Sequence, residues 1–225
     1  MDDLQVLRSA QRAALLTVRQ ALSSAERERW TAAIHDHLYA TLPTVVSLVI
    51  GFYMPFRGEP DLRPLLDTWR AAGAETVLPV VVGRHLPLEF RLWWPGAPER
   101  KGPFSLPMPD GTPQRTPQVI LMPPVGFDAK AYRLGYGGGY FDRTLAALTP
   151  APLKVGVAFE LARIASIDPQ PHDIAMDLVV TESGVHQHDG ERLVQLTQAA
   201  ATAYTQAALG AARADAERFD KDRKS

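Results

Sequence analysis

Three short runs decide the fold: VVSLVIGFY at residues 45–53, LRPLLDTWRAAG at residues 62–73 and TVLPVVV at residues 76–82. The first and last are apolar and rich in β-branched residues, each long enough for one buried strand. Between them Leu62, Leu65, Leu66 and Trp69 recur at helical spacing, and Gly73 supplies a stop. Strand, helix and strand in this order make a βαβ unit, which requires parallel pairing.

Working outward, residues 119–122, 154–159 and 178–181 read as three further core strands, and residues 88–94 alternate as a half-exposed antiparallel strand does. The fold class predicted is α/β: a single three-layer domain with a mainly parallel central sheet flanked by helices. Upstream, Leu4, Leu7, Leu15, Val18 and Leu22 alternate with Arg8, Arg12 and Arg19 as in an amphipathic helix over residues 2–22. Ser23 or Ser24 then caps a second helix that Pro43 stops. The proline-rich residues 95–117 read as an irregular surface excursion. Residues 1–188 are expected to form the α/β domain, and residues 189–225 a C-terminal extension. That extension reads as a helix over residues 193–209 and a disordered, charged tail from Arg213.

The chain of 225 residues is 46% hydrophobic and 22% charged, with a formal net charge of -1. Such a balance gives no overall attraction to nucleic acid or to an anionic membrane, so any phosphate must be held by local charge. The absence of cysteine excludes disulfides, thiolate metal sites and a cysteine nucleophile. The acidic start Met1-Asp2-Asp3 lacks an apolar run behind it, so no signal peptide is expected and a cytoplasmic location is.

The chemistry concentrates at Arg133-Leu134-Gly135-Tyr136-Gly137-Gly138-Gly139-Tyr140-Phe141-Asp142-Arg143. Glycines allow close backbone approach, and a loop opening a helix aims amide N–H groups at an anion. Arg133 and Arg143 add guanidinium forks that match phosphate oxygens, and Asp142 a hard oxygen suited to Mg²⁺. A glycine run alone signals no more than a tight turn; the arginines, the aspartate and the helix behind it favour phosphate. The loop lacks the Gly-Lys-Ser/Thr ending of a P-loop. A dinucleotide site stays open at this point, because Glu160 lies near the position of its ribose-binding acid.

The run Val125-Gly126-Phe127-Asp128 followed by this loop resembles the signature of the 5-formyltetrahydrofolate cyclo-ligase (5,10-methenyltetrahydrofolate synthetase) family. The resemblance spans residues 8–181 and includes the Arg8, Arg12, Arg19 spacing, Glu59, and His172-Asp173 with Asp177 and Thr181-Glu182. It implies an ATP- and Mg²⁺-dependent cyclisation of 5-formyltetrahydrofolate to 5,10-methenyltetrahydrofolate through an N5-iminium phosphate, releasing ADP and phosphate. The partners implied are a reduced folate and ATP, on a monomer or weak homodimer.

Carried over residue by residue, Arg8 and Arg12 contact ATP phosphates, with Arg8 at a position where the family has lysine. Leu134, Gly135, Tyr136, Gly137, Gly138, Gly139, Tyr140 and Phe141 line the nucleotide with Arg133. Arg133, Arg143 and Tyr140 are the expected catalytic residues. Glu59 binds the reduced pterin, with Tyr53, Gly137 and Tyr140 beside it, and Trp93 or Trp94 as a possible border. Asp142 and Asp173 are the metal ligands, with Asp177 as a competitor for the second place. Phe141 stands where the family usually has a second tyrosine, and Ala131 where it commonly has glycine. His186 and His188 read as exposed in a polar turn. Two other classes fit the loop: a sugar-phosphate isomerase or CoA transferase, and a binding module without turnover.

Overall fold

The computed structural model describes residues 3–222. Two helices come first, α1 (Asp3–Gln20) and α2 (Ser24–Thr41). The Ser23 hydroxyl accepts from the Glu26 N–H, and the Glu26 carboxylate accepts from the Ser23 N–H, a capping box that fixes where α2 begins. The decisive unit follows as β1 (Val49–Gly51), α3 (Arg63–Ala71) and β2 (Glu75–Val80), with β1 and β2 parallel. Next, β3 (Glu89–Leu92) pairs antiparallel with β2.

The proline-rich excursion is more ordered than its composition suggests. Within it β4 (Glu99–Lys101) and β5 (Pro107–Pro109) form an antiparallel ribbon closed by a 3₁₀ turn at Pro103–Ser105. The chain then enters the sheet centre as β6 (Val119–Met122) beside β1. A second ribbon, β7 (Gly126–Phe127) with β8 (Arg133–Leu134), carries the glycine loop to α4 (Tyr140–Ala147). Thus the loop leaves a separate hairpin rather than a strand of the main sheet. At the turn of that hairpin Ala131 sits at φ 61° and is wholly buried, a left-handed conformation in which glycine carries no penalty.

The last elements are β9 (Leu153–Val157), β10 (Leu178–Thr181), β11 (Gly184–His188), β12 (Leu193–Gln195) and α5 (Gln198–Asp222). One sheet of eight strands results, in the order β12-β11-β10-β9-β6-β1-β2-β3, and its five central strands are parallel. Successive residues alternate across it. Val119, Leu121, Leu178 and Val180 face a core shared with Ile34 and Leu38 of α2, Trp69 of α3 and Ala201 of α5; Ile120, Met122 and Val179 face one shared with Leu145 of α4. Helices on both faces of a mainly parallel sheet are the three-layer architecture expected.

Three details correct the sequence reading. Of the apolar residues that made α1 look amphipathic, Leu7 and Val18 are exposed and Leu4, Leu15 and Leu22 half-buried, whereas Arg19 is the buried residue of the helix. His186 lies in β11 and is 6% exposed, because β12 pairs alongside and covers the strand. Residues from Arg213 onward continue α5 to Asp222, where a disordered tail was expected; residues 223–225 lie outside the described residues. The alanine-rich turns of residues 199–216 carry the helix forward, and the Glu, Arg and Lys that follow are themselves good helix formers. No helix among the described residues is long and apolar enough to cross a membrane.

A candidate ligand cleft at the strand ends

In a sheet of this type, the neighbour strands β1 and β6 send their connections to opposite sides, which opens a crevice beyond their carboxyl ends. That crevice is real. A cleft of about 1130 Å³ is lined by Tyr53 and Met54 just past β1 and by Met122, Pro123 and Pro124 at the end of β6. Arg8, Arg12, Glu59, Arg133, Arg143, Asp173 and residues 134–142 all line it, so these residues, singled out from the sequence, meet in one place with Tyr53.

One end is a set of paired charges. Arg8 donates from Nε to the Ile167 carbonyl at 2.9 Å and from one terminal nitrogen to Asp173 Oδ2 at 2.6 Å. Arginine thus uses separated donors where a lysine has a single ammonium. Arg12 donates to the Gly135 carbonyl at 2.7 Å, and its guanidinium lies 3.6 Å from where a side chain on Gly137 would start. That distance is ordinary contact; it is the φ of 93° at Gly137 that favours glycine here. Burial and the neighbouring Arg8 charge both disfavour the Arg12 cation, a strain that an anion between them relieves. Buried Arg133 holds Asp142 Oδ1 at 2.6 Å and the Ile174 carbonyl at 2.6 Å, while Arg143 folds over the Tyr140 ring and bonds the Gly138 carbonyl.

Asp142 and Asp173 each use one oxygen here. The Ile174 N–H donates to Asp142 Oδ1 at 3.1 Å and the Gln170 N–H to Asp173 Oδ2 at 2.7 Å. Asp142 Oδ2 and Asp173 Oδ1 stand outside these bonds. Burial pushes Asp173 upward, but the Arg8 and Gln170 hydrogen bonds outweigh it and hold the carboxyl below the usual range. Asp177 does not compete: it accepts from the Lys154 N–H and pairs with the Lys154 ammonium at 2.9 Å, away from the cleft. No three His, Asp or Glu side chains converge among the described residues, so no cation site is built of protein ligands alone. Two carboxylates beside a phosphate-sized space do fit Mg²⁺, which usually takes one or two carboxylates, substrate phosphates and water.

The other end is buried. Glu59, 4% exposed, accepts the Tyr136 hydroxyl at 2.7 Å on Oε1 and the Phe56 N–H at 2.9 Å on Oε2. Burial raises its carboxyl to about 7, against the opposing pull of Arg19, Tyr136 and the Phe56 N–H. Tyr53 is buried with its hydroxyl on the Pro60 carbonyl at 2.8 Å, and burial and the Glu59 charge push its titration up. Phe104, Phe56 and Tyr136 form an aromatic cluster beside this pocket.

Trp93 and Trp94 do not border the cleft: Trp93 packs edge-on against Phe52 and donates its indole N–H to Glu99. Glu160 pairs with Arg163 and Ser183 in a 3₁₀ turn outside the cleft, which removes the dinucleotide reading. The residue that sequence reading left without a role is Arg19. Its signal was present, since a guanidinium at residue 19 falls on the same helix face as Arg8, Arg12 and Leu15.

Fold and cleft together define a class: an α/β protein whose ligand cleft opens at the switch point of a parallel sheet, beneath a glycine-rich loop. Residues 5–182 match the model of the 5-formyltetrahydrofolate cyclo-ligase family. A 5-formyltetrahydrofolate cyclo-ligase of Mycolicibacterium smegmatis is 32% identical over 183 residues, covering 77% of this chain and 93% of that protein. The 5,10-methenyltetrahydrofolate synthetase of Aquifex aeolicus superposes with a TM-score of 0.71 at 30% identity, over 84% of this chain and 97% of the other. That of Mycoplasma pneumoniae gives 0.65 at 26%, over 81% and 99%. The chain belongs to the 5-formyltetrahydrofolate cyclo-ligase family, a family of enzymes.

Proposed function

We propose that the protein closes 5-formyltetrahydrofolate to 5,10-methenyltetrahydrofolate at the expense of ATP, in the cytoplasm, as a monomer or weak homodimer. One observation carries this: a single cleft holds a phosphate-type loop with four guanidiniums at one end and a buried carboxylate at the other. Its volume of about 1130 Å³ exceeds the roughly 300–1,000 Å³ of a site for one small molecule, as two substrates require.

A formamide oxygen is a poor leaving group, so it must be activated. The formyl oxygen attacks the γ-phosphorus of ATP, the bond to the β-phosphate oxygen breaks and ADP leaves. An N5-iminium phosphate remains. N10 attacks its carbon and loses its proton, and the carbon–oxygen bond breaks to release phosphate. Catalysis here is mainly positioning and neutralisation of charge. Glu59 and Tyr53 hold the reduced pterin, whose N–H groups donate to the carboxylate. The loop amides, Arg8, Arg12, Arg133 and Arg143 hold the phosphates, with Tyr140 and Gly137 between the two substrates. Asp142 and Asp173 are the residues that would hold Mg²⁺, which neutralises phosphate charge when bound.

The test is the absorbance of methenylfolate on mixing the protein with 5-formyltetrahydrofolate and MgATP, with Asp142→Ala alongside. An ATP-dependent rise that the variant loses supports the reading. A protein that binds ATP without any rise defeats it.

A further inference from the structure

The end of the cleft that holds Glu59 has a second layer. Arg19, 3% exposed, lies behind the lining residues and reaches three separate segments. Its Nε donates to the Arg57 carbonyl at 3.1 Å and one terminal nitrogen to the Pro124 carbonyl at 3.3 Å. The other donates to the Tyr136 hydroxyl at 2.7 Å and stands 3.6 Å from Glu59 Oε1. The Tyr136 hydroxyl in turn donates a hydrogen bond to that same oxygen at 2.7 Å. Arg19, Tyr136 and Glu59 therefore form a closed triangle joining α1, the glycine loop and the segment after β1.

We infer that Arg19 is a positioning residue for the reduced folate, acting through the Glu59 carboxylate and the Tyr136 hydroxyl. The inference rests on the reading of Glu59 as the pterin-binding group. Geometry supports it in two ways. A buried ion pair contributes little to stability that a well-packed apolar pair lacks, so a purely structural role does not account for one placed against a ligand cleft. An ionised carboxylate accepts at about four lone-pair positions; Tyr136 and the Phe56 N–H take two, leaving others for donors on a ligand. Arg19 favours the ionised carboxylate, the form that only accepts. Without that cation, burial favours the protonated form, which turns one oxygen into a donor facing other donors.

The charged and titratable groups around the carboxylate are few: Arg19 from α1, Tyr136 from the glycine loop, and Tyr53 past β1. Arg27 of α2 lies near Gly58 but donates to the Leu22 carbonyl. Arg19 is thus the cation that sets the charge of Glu59. Removing it moves the Glu59 titration further up, by about one unit or more for an opposite charge at this range.

The experiment compares wild-type, Arg19→Lys, Arg19→Met and Tyr136→Phe protein, reading 5-formyltetrahydrofolate binding by calorimetry and kcat/KM for the folate from pH 6 to about 9. Arg19→Met is expected to shift the acid limb of the folate profile to higher pH by about one unit and to raise KM for folate more than for ATP. Arg19→Lys restores most of the wild-type limb, and Tyr136→Phe moves it the same way by less. A correctly folded Arg19→Met protein with the wild-type limb and folate KM overturns the inference. So does an unchanged limb in Tyr136→Phe, should Arg19→Met fail to fold. A wild-type protein that binds ATP but no folate overturns the underlying reading, and this inference falls with it.

Discussion

The two ends of the cleft are built from the same two elements, α1 and the glycine loop, yet they handle charge in opposite ways. At the loop end Arg8 pairs with Asp173 and Arg133 with Asp142, while Arg12 and Arg143 bond loop carbonyls beside exposed glycines. At the Glu59 end a single carboxylate and a single guanidinium are almost wholly buried and share one tyrosine hydroxyl. On the function proposed above, a polyanion brings enough charge to compete for several cations at the first. At the second, the N–H edge of a neutral ring would meet one carboxylate in a dry site, where a hydrogen bond discriminates most.

The largest effect should come from Arg133→Ala. It removes the proposed phosphate contact and the partner of Asp142, and turnover is expected to fall about a thousandfold or more while the fold persists. Steady-state kinetics with a circular dichroism control check it. A loss confined to KM for folate would break the contrast between the ends.

Glu59→Gln sharpens the contrast. KM for the folate should rise by roughly 10- to 100-fold, the worth of a hydrogen bond to a charged group, while KM for ATP stays within a few-fold. The same group leaves a mark on stability. Between the usual glutamate value near 4.5 and about 7, Glu59 binds a proton in the folded chain but not in the unfolded one. Its contribution is fully present below that window and is lost as pH rises through it, so the free enzyme becomes less stable toward neutral pH. Denaturant midpoints of Glu59→Gln should lack this slope. If Glu59 binds folate as proposed, function and stability run in opposite directions with pH, because the ionised form is the one that accepts from the pterin.

The smallest effect belongs far from both ends. We propose that residues 189–225 are an extension to the catalytic domain. Deleting residues 214–225 should leave kcat and KM unchanged, since the Thr202 and Thr205 hydroxyls that bond the Ala40 and Thr41 carbonyls of α2 remain. A dead but folded truncation would refute this.

The βαβ unit was legible because its strands are continuous apolar, β-branched runs, as strands buried on both faces are, and its helix keeps the 3.6-residue spacing. The glycine loop was legible because few backbones need glycine so densely. The β7–β8 ribbon was not, since strands of two residues carry no period. The orientation of α1 was hidden for a different reason. Its inward face mixes Leu15 with Arg8, Arg12 and Arg19 because it covers a cleft as well as a core, so hydrophobic periodicity alone did not locate it. Nothing in that periodicity gave Arg19 a role. Short apolar segments such as residues 193–196 fit strand or helix alike, and only pairing with β11 decides for β12.

The docking of α1 also has a consequence in time. Arg8 bonds a residue 165 positions further along the chain, Arg12 one 123 positions on, and Arg19 one 117 positions on. Contacts so distant in sequence form late, after the loops between them have closed. The arginines of α1 therefore wait for segments at least 117 positions downstream before they have these partners to hold. A nascent chain can pair β1, β2, β3 and β6 before that, but the cleft stays incomplete until residues near Asp173 emerge.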